Sequence, residues 1–211
     1  MQADYWHNLW ETNDTGWHLD DANPFLLEFF PLLKLKAESR VFIPLCGKTL
    51  DILWLLSEGY KVVGAELNES AIKELFESLR VNPEVKKVGS FTLYSADNID
   101  IFVGDVFELD KGLLGKVDAV YDRGALVALP YEMRIRYTSL LLNITESAQQ
   151  LLINFEYDQN LYQGPPFSIT ATELEEHYNE SYSIELLKSH QIKEGPFAQI
   201  SVYEKAWLLS I

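Results

Sequence analysis

Apolar positions along the chain follow two alternating rhythms. Short, nearly continuous runs rich in β-branched residues, beginning with Arg40-Val41-Phe42-Ile43-Pro44, are separated by longer stretches in which apolar residues recur every three or four positions. The first rhythm belongs to strands buried on both faces, the second to amphipathic helices. After the first run, Leu50, Leu53, Trp54 and Leu56 keep helical spacing until Gly59 stops the pattern. Lys61-Val62-Val63-Gly64-Ala65-Glu66 reads as the next strand, and Asn68 or Ser70 as the cap of a helix running to about Leu79.

This strand-helix-strand unit repeats. Further strands are expected at 99–103, 117–121 and 151–156, with a helix from about Tyr131 between the last two. Such alternation predicts an α/β fold, a mostly parallel sheet with helices on both faces. Towards the end of the chain, Thr172-Glu173-Leu174-Glu175 has the form of a capping box. Segments 184–187 and 200–209 then read as a strand pair closing one edge. At the front, Trp6, Leu9, Trp10 and the Asn23-Pro24 helix start predict a helical segment against the sheet's ligand edge. Nothing marks a second domain, so residues 1–211 are read as one, with a cover segment over 1–35 and a Rossmann-like core over 40–211.

The formal net charge of -15 repels phosphate backbones and anionic lipid, which argues against nucleic acid and membrane as partners. The single cysteine, Cys46, allows no intramolecular disulfide and suits a reducing compartment. The first residues lack the basic and apolar regions of a signal peptide, and no apolar run is long enough to span a bilayer. A cytoplasmic location is expected.

In a doubly wound sheet, ligands bind beyond the carboxyl ends of the strands, beside the first one. That place falls on Pro44-Leu45-Cys46-Gly47-Lys48-Thr49. Gly47-Lys48-Thr49 matches the end of a phosphate-binding loop, but the first glycine of that loop would fall on Phe42, in mid-strand. The Gly-x-Gly-x-x-Gly fingerprint of dinucleotide sites is absent as well. A bulky turn with one glycine is easier to reconcile with S-adenosyl-L-methionine (AdoMet), which has no pyrophosphate to cradle. Glu66 ends the second strand where an acid can accept hydrogen bonds from both ribose hydroxyls; the competing reading is a solvated carboxylate. Asp105 and Val106, after the third strand, either face the adenine or form an ordinary turn.

Asp122-Arg123-Gly124-Ala125-Leu126-Val127-Ala128, leaving the fourth strand, is the strongest local signal. A guanidinium there either holds a carboxylate of the cofactor, stabilises a developing thiolate, or pairs with its neighbours. Gly164-Pro165-Pro166-Phe167 either presents Phe167 to a flat pocket or is a rigid turn. The four histidines show no metal-ligand spacing and read as surface or packing residues, His18 being nearest the proposed pocket. Cys46 reads as a small buried hydrophobe.

Together, Pro44-Leu45-Cys46-Gly47-Lys48, Val63-Gly64-Ala65-Glu66, Asp122-Arg123-Gly124-Ala125-Leu126-Val127-Ala128 and Gly164-Pro165-Pro166-Phe167, in this order, closely resemble the thiopurine S-methyltransferase family in its compact bacterial form. The resemblance runs from Trp6 to the last strand. It implies a class I AdoMet-dependent methyltransferase with a seven-stranded Rossmann-like sheet whose last strand is antiparallel. It implies transfer of a methyl group to the sulfur of aromatic or heterocyclic thiols, small molecules, with S-adenosyl-L-homocysteine as product; no metal is expected from the histidine spacing, and a monomer is expected. By this resemblance Trp6, Trp10 and Trp17 belong to a segment that covers the cofactor, Leu45, Glu66, Asp105, Val106 and Arg123 contact it, and Arg123 also serves the acceptor, while Trp17 and Phe167 are expected to line the acceptor pocket. Where relatives outside bacteria carry Phe before His18, this chain has Trp17. Two other readings remain open at this point: methylation of tellurium or selenium species, and a non-catalytic AdoMet-binding protein.

Overall fold

The computed structural model describes residues 3–193 and 199–211. The apolar runs become β1 (Arg40–Pro44), β2 (Lys61–Glu66), β3 (Glu84–Val88), β4 (Phe91–Ala96), β5 (Ile99–Val103), β6 (Ala119–Arg123), β7 (Gln149–Glu156), β8 (Ser183–Ile192) and β9 (Val202–Ser210). Between them lie α1 (Ala3–Glu11), α2 (Pro24–Phe29), α3 (Asp51–Ser57), α4 (Glu69–Leu79), α5 (Lys111–Leu114), α6 (Tyr131–Thr145) and α7 (Ala171–Tyr178). The strands form one sheet in the order β3-β4-β5-β2-β1-β6-β7-β9-β8. β5, β2, β1, β6 and β7 are mutually parallel, and β9 runs antiparallel between β7 and β8.

Successive residues of the central strands serve opposite faces, as the pleat requires. Val41, Ile43, Ala119 and Tyr121 pack with Phe25, Leu26, Ile52, Leu55, Ile72 and Leu75 of α2, α3 and α4. Phe42, Val120 and Leu152 point the other way, into a core with Tyr137, Leu141, Leu174 and Tyr178 of α6 and α7. Burial on both faces explains why these strands read as continuous apolar runs.

The α/β fold and its order hold, with three corrections of detail. Seven strands are expected and the described residues form nine, because β3 and β4 make an added hairpin on the outer edge of β5. The side chains of β3 are exposed apart from the half-buried Val88, so it carries no buried-strand signature; Lys86 and Lys87 are the charges that keep an edge strand from pairing further. The fourth parallel strand begins at Ala119 rather than residue 117, since Asp118 spends its side chain on the Arg40 N–H at 2.8 Å. Thr170, not Thr172, caps α7, accepting from the Glu173 N–H at 3.2 Å, so the helix begins at Ala171, two residues earlier than a Thr172 cap implies.

At the front, Asn23 caps α2, its Oδ1 accepting from the Phe25 N–H at 2.8 Å. α1 has no buried residue and is held from outside the core. The first two residues of the expected cover segment lie outside those described.

Candidate active site

Parallel pairing brings the ends of β1, β2, β5 and β6 to one edge, and the predicted residues gather there. Pro44 is opposite Ala65 and Glu66 opposite Val103. Beyond Pro44 the chain turns sharply: Leu45 has φ 47° and Gly47 φ 52°, both in the left-handed region. The Cys46 N–H donates to the Ala65 carbonyl at 3.1 Å, folding the turn back across the end of β2. A Cβ on Gly47 would stand 3.0 Å from the Trp10 ring, so the turn is bare where the indole approaches.

Glu66 is buried, and its two oxygens clamp two turns. Oε2 accepts from the Gly47 N–H at 2.9 Å and Oε1 from the Asn68 N–H at 2.8 Å. Burial pushes its carboxyl above the usual carboxylate range, while the N–H groups of Asn68 and Gly47 act against that rise. A carboxylate offers about four lone-pair directions, so acceptor capacity remains for hydroxyl donors. The Glu66 carbonyl also accepts from the Gly104 N–H at 2.9 Å, which seats the turn after β5 alongside. There Asp105 is exposed and caps a 3-10 turn through the Phe107 N–H at 3.0 Å, and Val106 is buried.

Three tryptophans close this edge from the N-terminal side. Trp17 meets Trp6 with ring centroids 5.5 Å apart and Trp10 at 5.7 Å, both edge to face, the favoured aromatic geometry. Trp17 is still 38% exposed, so the cluster borders open solvent. α1 is tied down where His7 Nδ1 meets Asn68 Nδ2 at 3.1 Å and where Lys48 stands 5.7 Å over the Trp10 ring. His18 follows the cluster; partial burial, then the nearby Lys48 charge, hold its imidazole below the ordinary value.

Asp122 and Arg123, adjacent in sequence, go to opposite faces. Asp122 turns into the core, where Oδ2 accepts from the Tyr137 hydroxyl at 2.6 Å and Oδ1 from the Leu126 N–H at 3.1 Å. Burial raises its carboxyl to about 6. Arg123 turns to the site: Nη2 donates to the Trp17 carbonyl at 3.1 Å and Nη1 to Asp51 Oδ2 at 3.5 Å. Phe167 lies on the flank of the same edge, its N–H donating to the Val127 carbonyl at 2.6 Å and its ring 5.7 Å from the Arg134 guanidinium. Arg134 is itself fixed by a paired contact with Glu173 and by the Leu129 carbonyl. The Phe167 ring is therefore stacked toward α6, and no described ring contact joins it to the tryptophans.

The structure thus brings Trp6, Trp10, Trp17, Leu45, Glu66 and Arg123 together, with Asp105 and Val106 on the adjoining turn. Reading the sequence missed Asp51, which contacts Arg123, and the bonds that Tyr121 and Asn23, read only as a helix start, make to Asp51. Asp51 looks like any acid in a helix's first turn, and its partners are 28 to 72 residues away. Cys46 is buried, as a small hydrophobe at this turn; burial, then the Glu66 charge, pushes its thiol well above the ordinary value. No group of three or more potential metal ligands occurs among the described residues, and no described helix is long and apolar enough to cross a membrane.

Residues 1–207 match the family model described as thiopurine S-methyltransferase. A thiopurine S-methyltransferase of Xanthobacter autotrophicus is 48% identical over 210 residues, covering 99% of this chain and 99% of that one. One from Teredinibacter turnerae is 45% identical over 210 residues, covering 100% of this chain and 98% of its own. Among solved structures, the Burkholderia thailandensis 1,6-didemethyltoxoflavin-N1-methyltransferase, with bound 1,6-didemethyltoxoflavin and S-adenosylhomocysteine, superposes with a TM-score of 0.67 at 16% identity, covering 99% of this chain and 87% of that chain.

Proposed function

The chain belongs to the thiopurine S-methyltransferase family, and on that premise we propose that it transfers the methyl group of AdoMet to the sulfur of an aromatic or heterocyclic thiol. The observation that carries the reading is the Glu66 clamp, which joins the turn after β1 to the end of β2 and leaves a buried carboxylate with acceptor capacity at the edge where this fold binds ligands.

The residues fit the cofactor. Glu66 would hold the ribose hydroxyls, Leu45 and Val106 would pack on the nucleoside with Asp105 beside the adenine, and Trp6 and Trp10 would cover it. When bound, AdoMet supplies an activated methyl on a sulfonium whose departure leaves a neutral thioether. No acid is therefore needed on the leaving side, and the protein's task is placement. Holding reactants at attack distance in a dry site is worth an effective molarity on the order of 10⁵ M or more. Trp6, Trp10 and Trp17 would shield the cofactor side once a ligand fills the edge, and Phe167, held on the flank toward α6, would border the acceptor. Arg123 stands at the acceptor side with a permanent positive charge, which favours the thiolate over the thiol. A small thiol acceptor, a monomeric enzyme and a cytoplasmic setting complete the proposal; the net charge of -15 disfavours nucleic acid and anionic lipid, and the lone buried cysteine suits a reducing compartment.

The test is direct. Protein mixed with methyl-labelled AdoMet and 6-mercaptopurine should yield labelled thioether. A preparation that binds AdoMet by calorimetry but forms no thioether at high enzyme concentration would overturn the acceptor assignment.

A further inference from the structure

We propose that Asp51 is a positioning residue that sets the Arg123 guanidinium and the 17–23 segment in one arrangement, so that the acceptor-side charge and the aromatic cover are ordered together. The inference rests on the functional reading above.

Asp51 opens α3, a place where an acid ordinarily faces water and interacts with the helix dipole. Here its side chain is 1% exposed. Burying a carboxylate is unfavourable unless hydrogen bonds and opposite charge compensate, and packing alone is served as well by an apolar side chain. The reason for an acid must therefore lie in its partners. They come from separate parts of the chain: the Asn23 N–H at 2.6 Å, the Tyr121 hydroxyl at 3.0 Å and Arg123 Nη1 at 3.5 Å.

Each partner leads somewhere functional. Asn23 ends the 17–23 segment by capping α2. Tyr121 lies two residues before Arg123 on the same face of β6, so its hydroxyl braces the carboxylate from beneath the arginine. The second arm of Arg123 reaches the Trp17 carbonyl at 3.1 Å, and Trp17 bears on both Trp6 and Trp10. The segment is thus fastened at Trp17 through Arg123 and at Asn23 through Asp51, and those two fasteners touch each other. Glu204 of β9 faces the same cluster, 3.5 Å from Asn23 Nδ2; burial pushes its carboxyl up while Arg123 draws it down. Asp51 is the carboxylate in contact with the guanidinium; Glu204 acts on it from farther away.

A double-mutant cycle tests this, because a residue acting through another loses its effect once the other is gone. Asp51→Asn keeps the shape but removes the charge and turns an amide against one of the three donors. In the wild-type background it should lower kcat/KM for the thiol about tenfold, while in an Arg123→Ala background it should change it less than about twofold. AdoMet affinity should stay within about threefold. Equal losses in both backgrounds would overturn the proposal.

Amide hydrogen exchange gives a reading independent of turnover. Exchange across residues 17–23 should accelerate in both Asp51→Asn and Arg123→Ala, and unchanged exchange in Asp51→Asn would equally overturn the proposal. If the wild-type protein proves inactive on thiols, the functional reading fails while the exchange experiment still decides whether Asp51 orders this segment. Asp51→Glu, which restores the charge one methylene farther out, should recover part of both the rate and the protection. It also serves if Asp51→Asn does not fold.

Discussion

Glu66 accepts a hydrogen bond from the Gly47 N–H at 2.9 Å, across 19 residues of sequence, and this contact places the turn after β1 beside the acid that ends β2. One carboxylate thereby shapes the cradle while keeping acceptor sites for a ligand.

Glu66→Gln should expose both roles. Its amide nitrogen must face either the Gly47 or the Asn68 N–H, donor against donor. AdoMet binding should weaken by about 1–3 kcal/mol, the cost of charge-assisted bonds to the ribose. Isothermal calorimetry measures it, and an unchanged dissociation constant would remove Glu66 from the site.

Arg123→Ala should separate chemistry from cofactor binding. An electrostatic stabiliser of the reacting centre is worth about 10²-fold or more in kcat, whereas AdoMet affinity should fall by less than about tenfold. Steady-state kinetics with calorimetry distinguish the two, and equal losses would make Arg123 a cofactor residue only. Arg123→Lys should not rescue the rate, since one ammonium cannot reach Asp51 and the Trp17 carbonyl with the geometry of a planar fork.

Gly64→Ala should destabilise the sheet beneath the site. The added Cβ would lie 2.6 Å from Ile101 Cδ1 and 2.9 Å from Cys46 Sγ, and such overpacking costs about 1–3 kcal/mol. Urea denaturation should show the loss, and Ile101→Val, which deletes the nearer atom, should restore part of it. A fully stable Gly64→Ala would mean that the strand shifts at no cost.

Asp122 should give stability a pH dependence. Its carboxyl, raised by burial to about 6 in the folded state, holds a proton that the unfolded chain releases at lower pH. This contribution is therefore complete below the unfolded carboxylate value near 4 and fades as pH rises through 6. Between about pH 5 and pH 7 the wild type should lose roughly 1–2 kcal/mol relative to Asp122→Asn. Parallel slopes for the two proteins in urea titrations would contradict the assignment.

The alternation of buried strands and amphipathic helices was legible in the sequence because each leaves a periodic trace of its own: continuous apolar runs at β1, β2 and β7, and three-to-four spacing in α3 and α4. The ligand-edge turn and Glu66 were legible for a related reason, since their positions follow from strand ends in a parallel sheet. What left no trace was whatever long-range packing decided. The exposed side chains of β3 resemble those of a loop until β4 pairs with it, while Thr170-Ala171-Thr172-Glu173 is a second capping box in the same stretch and is the one the structure uses. The adjacent pair Asp122-Arg123 becomes a core carboxylate and a site cation through the two-sided pleat of β6. Asp51 gains its role through partners 28, 70 and 72 residues distant. Local periodicity fixes which way a side chain faces, but which distant groups it meets there is set only when the layers close over it.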